Sequence, residues 1–286
     1  MKLIFPLTLL FFLPAALPAQ ESVPLPQHED AGRYHQLVRD GISAMEADSL
    51  ERAEQLLRDA LRADPTAQGN AILWGHLAAI AERTGREHEA LEAYGIALGL
   101  SPETPALLLG RASLYLKLGN NERAQTDYTT LLEQWPDHPE ALLLRGYVRQ
   151  RLRQYRDART DYEHLLRLQP DHEQALLGLA LVNDADLRPR EAMENVSRVI
   201  EVYPDHADAY ALRAGMEVER QQYELAELDY AEAIRLSPNN PSLYLARAHF
   251  FMKMKRKREA RADAQRAAQL GASAGEVAGA ISLRSK

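Results

Sequence analysis

No cysteine occurs among the 286 residues. That excludes disulfides, iron–sulfur ligation, thiolate zinc sites and lipid attachment at a cysteine, and it is neutral about redox compartment. After residue 19 no apolar run approaches the roughly 20 residues that a membrane-spanning helix needs. Positive charge is in deficit: 34 Lys and Arg against 41 Asp and Glu give a net charge of −7, or −8 once Lys2 is lost with the first nineteen residues. An acidic balance argues against nucleic acid as a partner, because phosphate contacts need clustered Lys and Arg. Catalytic signatures are missing too. There is no phosphate loop, no dinucleotide glycine fingerprint and no nucleophile elbow, and the nearest approach to a zincin helix, His172–Glu173, lacks its second histidine. The expectation is a chain that is no enzyme and uses no cofactor.

What is present begins with an address. Lys2, the run LIFPLTLLFFL and the segment PAALPA form the basic, apolar and small-residue regions of a secretory signal. Cleavage is expected after Ala19; Leu17 fits the minus-three position less well than alanine, so an uncleaved anchor is the alternative. The run from Leu3 to Ala19 is interrupted by Pro6 and Pro14 and is short for a span. An exported protein, periplasmic or extracellular, follows, with 1–19 as signal peptide and 20–33 as linker.

The remainder is periodic. Pro102, Pro136, Pro170, Pro204 and Pro238 are spaced by 34 residues, the signature of a stacked repeat array. Seven units fit, at 34–67, 71–104, 105–138, 139–172, 173–206, 207–240 and 241–272, with Gln68, Gly69 and Asn70 as the insertion. The twentieth position of every unit is alanine: Ala53, Ala90, Ala124, Ala158, Ala192, Ala226 and Ala260. The eighth is Gly or Ala throughout, and small side chains at both places let two helices approach to about 8–10 Å. Large residues stand at the fourth position (Trp74, Leu108, Leu142, Tyr210) and at the twenty-fourth (Tyr94, Tyr128, Tyr162, Tyr230). Asp48 and Glu51 have capping-box spacing, as do Ser273 and Glu276, which would open a final helix within 273–286.

From Tyr34 to about Ala272 the chain resembles the tetratricopeptide repeat family, whose pattern is met most fully by Trp74, Ala78, Ala90, Tyr94, Ala97 and Pro102. Two departures stand out. Arg149, Asn183 and Glu217 replace the tyrosine common at position 11, and the last unit has Ala264 and Ala272 where tyrosine and proline are usual. The resemblance implies an all-α fold, a right-handed α-solenoid of stacked helix-turn-helix repeats with a C-terminal capping helix. It also implies a concave groove lined by the first helix of each unit, where a protein or peptide segment lies. Mapped onto this chain, the groove residues are Leu109, Leu143, Tyr147, Arg151, Leu177, Leu181, Leu245 and His249. Leucine at helical spacing is equally a core pattern, so partial coverage of this stripe stays open. The lysine and asparagine set with which chaperone-tail-binding members clamp a terminal carboxylate is missing here.

Other features read as structural. The pairs Asp137–His138, Asp171–His172 and Asp205–His206 recur at one turn position and read as helix caps, with Asp as the capping residue, rather than as a metal site. Asn195-Val196-Ser197 matches a glycosylation acceptor but falls inside an expected helix. The basic stretch Lys253 to Arg261 could attract anionic lipid or an acidic protein, and reads first as a solvated turn. Arginine at the seventh position (Arg111, Arg145, Arg213, Arg247) always accompanies aspartate at the twenty-third of the same unit (Asp127, Asp161, Asp229, Asp263). That covariation predicts a contact between the two helices of one repeat. The functional expectation is an exported, non-enzymatic scaffold that binds a protein segment, with cell-envelope assembly as its setting; the alternatives are a self-associating structural protein, hence a possible homo-oligomer, and a regulatory subunit of an envelope enzyme. No nucleic acid and no stable membrane insertion are expected.

Overall fold

A computed structural model describes residues 29–282, so the signal stretch and the first part of the linker lie outside the described residues. Among the described residues there are fifteen helices and no strands. The first helices of the seven repeats are α1 (Glu29–Glu46), α3 (Asn70–Arg83), α5 (Pro105–Lys117), α7 (Pro139–Arg151), α9 (Glu173–Ala185), α11 (Ala207–Glu219) and α13 (Pro241–Lys253). The second helices are α2 (Leu50–Ala63), α4 (Glu87–Leu100), α6 (Asn121–Gln134), α8 (Tyr155–Leu168), α10 (Pro189–Val202), α12 (Tyr223–Leu236) and α14 (Lys257–Gln269), and α15 (Ala274–Ile281) follows. The described residues form two compact units, one ending at Leu152 and the other beginning at Arg153.

Helix α1 starts at Glu29, so the end of the stretch read as linker is helical. The last residue of the insertion, Asn70, opens α3 and is buried; it accepts a hydrogen bond from the Tyr34 hydroxyl at 3.2 Å and donates to the Asp64 carbonyl at 2.9 Å.

Each turn from first to second helix closes in the same way. The residue at position 15 takes a positive φ, from Asp48 (57°) through Gly85 (75°), Gly119 (77°), Arg153 (60°), Leu187 (58°) and Gln221 (61°) to Lys255 (61°). In the turns that lie within one unit the next N–H then bonds the carbonyl five residues back, as Arg86 does to Ala81, Asn120 to Tyr115, Arg188 to Asn183 and Gln222 to Glu217, at 2.8–2.9 Å. This is the Schellman arrangement, which satisfies the orphan carbonyls of the first helix. It also corrects the expected capping box at Asp48: the N-cap of α2 is Ser49, with no side-chain cap bond, while Asp48 sits in the left-handed turn and pairs with Arg83.

The repeated alanines explain the close helix pairing, since all seven at position 20 are fully buried. Between repeats, large side chains fit against small ones. A Cβ built on Gly110 would stand 2.5 Å from the Tyr94 hydroxyl oxygen, and one on Gly178 would stand 2.5 Å from Tyr162 Cζ. Each glycine is therefore the recess for the preceding repeat's aromatic ring, and adding a methyl there overpacks a core already at crystal-like density. At the C-terminus, Ser273 and Glu276 form the expected capping box. Helix α15 lays Val277, Ala280 and Ile281 against Leu245, Ala248 and Ala264, covering apolar surface of the last repeat.

Candidate functional site: the face lined by the first helices

Position 5 of each first helix shows how much of the expected groove is surface. In the N-terminal unit Leu109 and Leu143 are half-buried, as is Tyr147 one turn on from Leu143, and Arg151 is exposed with its guanidinium carbon 5.9 Å from the Tyr147 ring centroid. These side chains offer an apolar stripe edged by a cation. In the C-terminal unit the same register behaves differently. Leu177, expected on the groove, is 8% exposed and belongs to the core cluster of Leu176, Ala180, Val196 and Met216. Its cluster gathers side chains from the second helix of its own repeat, Ala192, Val196 and Val199, and from the following first helix, Ala209 and Met216. Leu181 and His249 stay half-buried, and Leu245 packs under α15.

Two carboxylates at groove register were not picked out from sequence. Burial raises the pKa of Glu82, with Lys117 opposing it, and burial raises that of Glu140. Their signal was available in the periodicity, because they occupy positions 12 and 2 of their repeats. Most rim cations are tied to the preceding repeat: Arg83 to Asp48, Lys117 to Glu87 at 3.8 Å, and Lys253 to Glu219 at 3.9 Å. Such exposed pairs stabilise by about 0–1 kcal/mol each.

The Asp–His turns are caps, though the capping residue is the histidine. Nδ1 of His138, His172 and His206 accepts the backbone N–H of Ala141, Ala175 and Ala209 at 3.3, 3.3 and 3.1 Å. In His206 the other nitrogen, Nε2, then carries the proton and donates to Glu173 at 2.9 Å. Burial lowers the pKa of His172, favouring the neutral ring that the cap requires. Asn195 lies within α10 and donates to the Glu191 carbonyl at 2.8 Å. In the basic stretch, Arg256 is held by Glu227 and Glu259, while Lys255, Lys257, Arg258 and Arg261 are exposed.

The Arg–Asp pairing holds in the three repeats that lie within one unit. Arg111 grips Asp127 at 2.8 and 2.8 Å, Arg213 grips Asp229 at 2.6 and 2.9 Å, and Arg247 grips Asp263 at 2.7 and 2.9 Å. All three aspartates are buried, and the two-pronged geometry is the strong form of this pair.

Helical hairpins repeated at a fixed period, each packed on the next through small-to-large contacts, define an all-α solenoid. The chain belongs to the tetratricopeptide repeat family, whose profile matches residues 39–105, 109–149, 146–186 and 185–241. A tetratricopeptide repeat protein from Parabacteroides merdae is 28% identical with a TM-score of 0.71, over 87% of this chain and 98% of that one. Pseudomonas aeruginosa pilF is similar at 17% identity and a TM-score of 0.58, over 74% of this chain and 95% of that one. YrrB, a TPR protein with an unusual peptide-binding site, is similar at 19% identity and a TM-score of 0.55, over 64% and 92%. No curated protein matches. Members of the family generally mediate protein–protein interactions and are typically not enzymes.

Proposed function

We propose that the chain is an exported, non-enzymatic scaffold that holds an extended or helical segment of a partner protein against the first helices of its N-terminal unit, in assembly at the cell envelope. The observation that carries the reading is the stripe of Leu109, Leu143 and Tyr147, apolar, half-buried and in one register, with Arg151 beside it. A stripe of this kind suits a ligand with apolar anchors at helical or alternating spacing. The peptide-binding site of YrrB supports a segment as the ligand class. The N-terminal signal supports export.

Two experiments test it. Fusing residues 1–30 to a reporter active only in the periplasm should give activity, and cytoplasmic retention of the full-length protein would end the envelope reading. Crosslinking from the envelope fraction should recover a partner with the native chain and lose it with Leu109→Glu plus Leu143→Glu, at unchanged helical content. Unfolding of that double variant would instead assign the stripe to the core.

A further inference from the structure

In the C-terminal unit the second helices wall a row of clefts whose floors are the first helices between them. The side chain at position 21 of the preceding second helix reaches toward the floor, and its identity decides what the cleft contains. Over α9, Arg159 of α8 donates through Nε to Asn183 Oδ1 at 2.9 Å and also pairs with Asp186. Over α13, Glu227 of α12 takes Arg256 at 2.5 and 2.8 Å, and that guanidinium carbon lies 4.4 Å from the Phe251 ring centroid. Both of these clefts are filled by a guanidinium belonging to the chain.

The cleft between them, over α11, is lined by Arg213 and Arg220, but neither guanidinium is placed on the carboxylate of its floor. It is an open cleft of about 520 Å³, and the wall residue is Met193, whose side chain carries no charge and no N–H. On the floor, Glu217 is 6% exposed, lines the cleft, and its Oε2 is buried without a hydrogen-bond partner. The neighbouring cations are committed elsewhere: Arg213 places two nitrogens on Asp229, and Arg220 donates to the Pro189 carbonyl. At the edge, Leu225 and Leu228 of α12 are 49% and 67% exposed. A buried carboxylate oxygen without a partner is costly, and natural chains seldom retain one without a use.

We propose that this cleft receives an arginine side chain from a segment of a partner protein, its guanidinium on Glu217 and its flanking apolar residues over Leu225 and Leu228. Guanidinium is the favoured cation because it is planar, weakly hydrated and forks onto a carboxylate, as Arg256 does onto Glu227 in the flanking cleft over α13. The site lies among the second helices and is distinct from the stripe of Leu109 and Leu143. Burial first, and then the Asp229 carboxylate, push Glu217 up to about 7. The other charged or titratable groups acting on it are Arg213 and Arg220 from α11 and its terminus and Tyr230 from α12; α10 contributes only Met193 and Ser197. Occupancy therefore strengthens as pH rises through that value, when the carboxyl loses the proton it can share with Asp229.

The test is an NMR titration of the full chain with acetyl-Leu-Arg-Leu-amide at millimolar concentration. Methyl resonances of Met193, Leu225 and Leu228 should move, the glutamine-centred peptide should move none of them, and affinity should fall about tenfold between about pH 8 and about pH 6. Butylguanidinium should bind at least about tenfold more weakly than the peptide; equal binding would assign the cleft to a free cation and overturn the proposal. Glu217→Gln should abolish the shifts while the protein stays folded. Met193→Arg, which restores to this wall the residue type found over α9, should block the peptide and raise the melting temperature. Unchanged peptide binding in either variant, equal binding of the glutamine peptide, no shift with the arginine peptide, or shifts that follow protein concentration without peptide, as a second copy would cause, each overturn it.

Discussion

In the N-terminal unit the left-handed turn position is occupied by Asp48, Gly85 and Gly119; in the C-terminal unit it is occupied by Arg153, Leu187, Gln221 and Lys255, with no glycine among them. The two units differ again at position 5, where Leu109 and Leu143 are half-buried and Leu177 is core. The same repeat therefore serves two economies. One unit adopts its turns with little strain and keeps an apolar stripe partly open. The other tolerates side chains in a conformation that costs roughly 1–2 kcal/mol for a non-glycine residue, and buries Leu177 of the equivalent stripe. Register alone does not set exposure or strain in a solenoid; the residues of adjoining repeats do.

The largest test of this contrast is a matched pair of substitutions. Leu177→Glu should cost about 3 kcal/mol or more, because it removes buried apolar surface and places a carboxylate in the core cluster. Leu143→Glu, at the same register in the other unit, should cost about 1 kcal/mol. Chemical denaturation followed by circular dichroism reads both, with hydrogen exchange to localise the loss, since repeat arrays need not unfold as one unit. Equal costs would erase the distinction between the units.

A second comparison sharpens the Arg–Asp pairs. Asp127→Ala strands Arg111 against buried surroundings and should cost about 3 kcal/mol. Asp229→Ala strands Arg213 likewise, but Glu217 stands close enough to replace the lost carboxylate, and removing Asp229 relieves the repulsion that helps raise its pKa. The expected cost is about 2 kcal/mol, and the Glu217 titration should move down from about 7. An unmoved titration would show that Glu217 is raised by burial alone.

Much of this architecture was legible in the sequence because the chain can be compared with itself. Alanine at every twentieth position reported helix proximity directly, and Arg213 with Asp229 could be paired by asking which repeats lose both members. What escaped depended on contacts between repeats or on a less common choice of residue. Leu177 is buried in a cluster that includes Val196 and Met216 from neighbouring helices, which no pattern at position 5 announces. Asp48 looked like a cap by residue type, although alignment with Gly85 and Gly119 would have placed it in a left-handed turn. His138, His172 and His206 align with Asn240, itself a side-chain cap at 3.0 Å to the Ser242 N–H, yet the aspartate before each drew the assignment. The donor lacking at Glu217 becomes visible only when Met193 is set beside Arg159 and Glu227 in neighbouring walls.

The smallest expected effect bears on the turns. Leu187 is 84% exposed and holds φ at 58°, so its side chain contributes little burial while its Cβ crowds the following carbonyl. Leu187→Gly should relieve that crowding and preserve the bond from the Arg188 N–H to the Asn183 carbonyl, at 2.8 Å. Against the gain stands the greater freedom of glycine in the unfolded chain, worth about 0.5–1 kcal/mol. The net expectation is a stabilisation of about 0.5 kcal/mol. The reciprocal change, Gly119→Leu, should destabilise by about 1 kcal/mol, because φ there is 77° and a Cβ meets no contact that would compensate. Measuring both in one denaturation series separates backbone strain from context. If Leu187→Gly is destabilising while Gly119→Leu behaves as expected, then the exposed Leu187 side chain stabilises its unit through a contact of its own, and the turns of the C-terminal unit are not strained for lack of glycine.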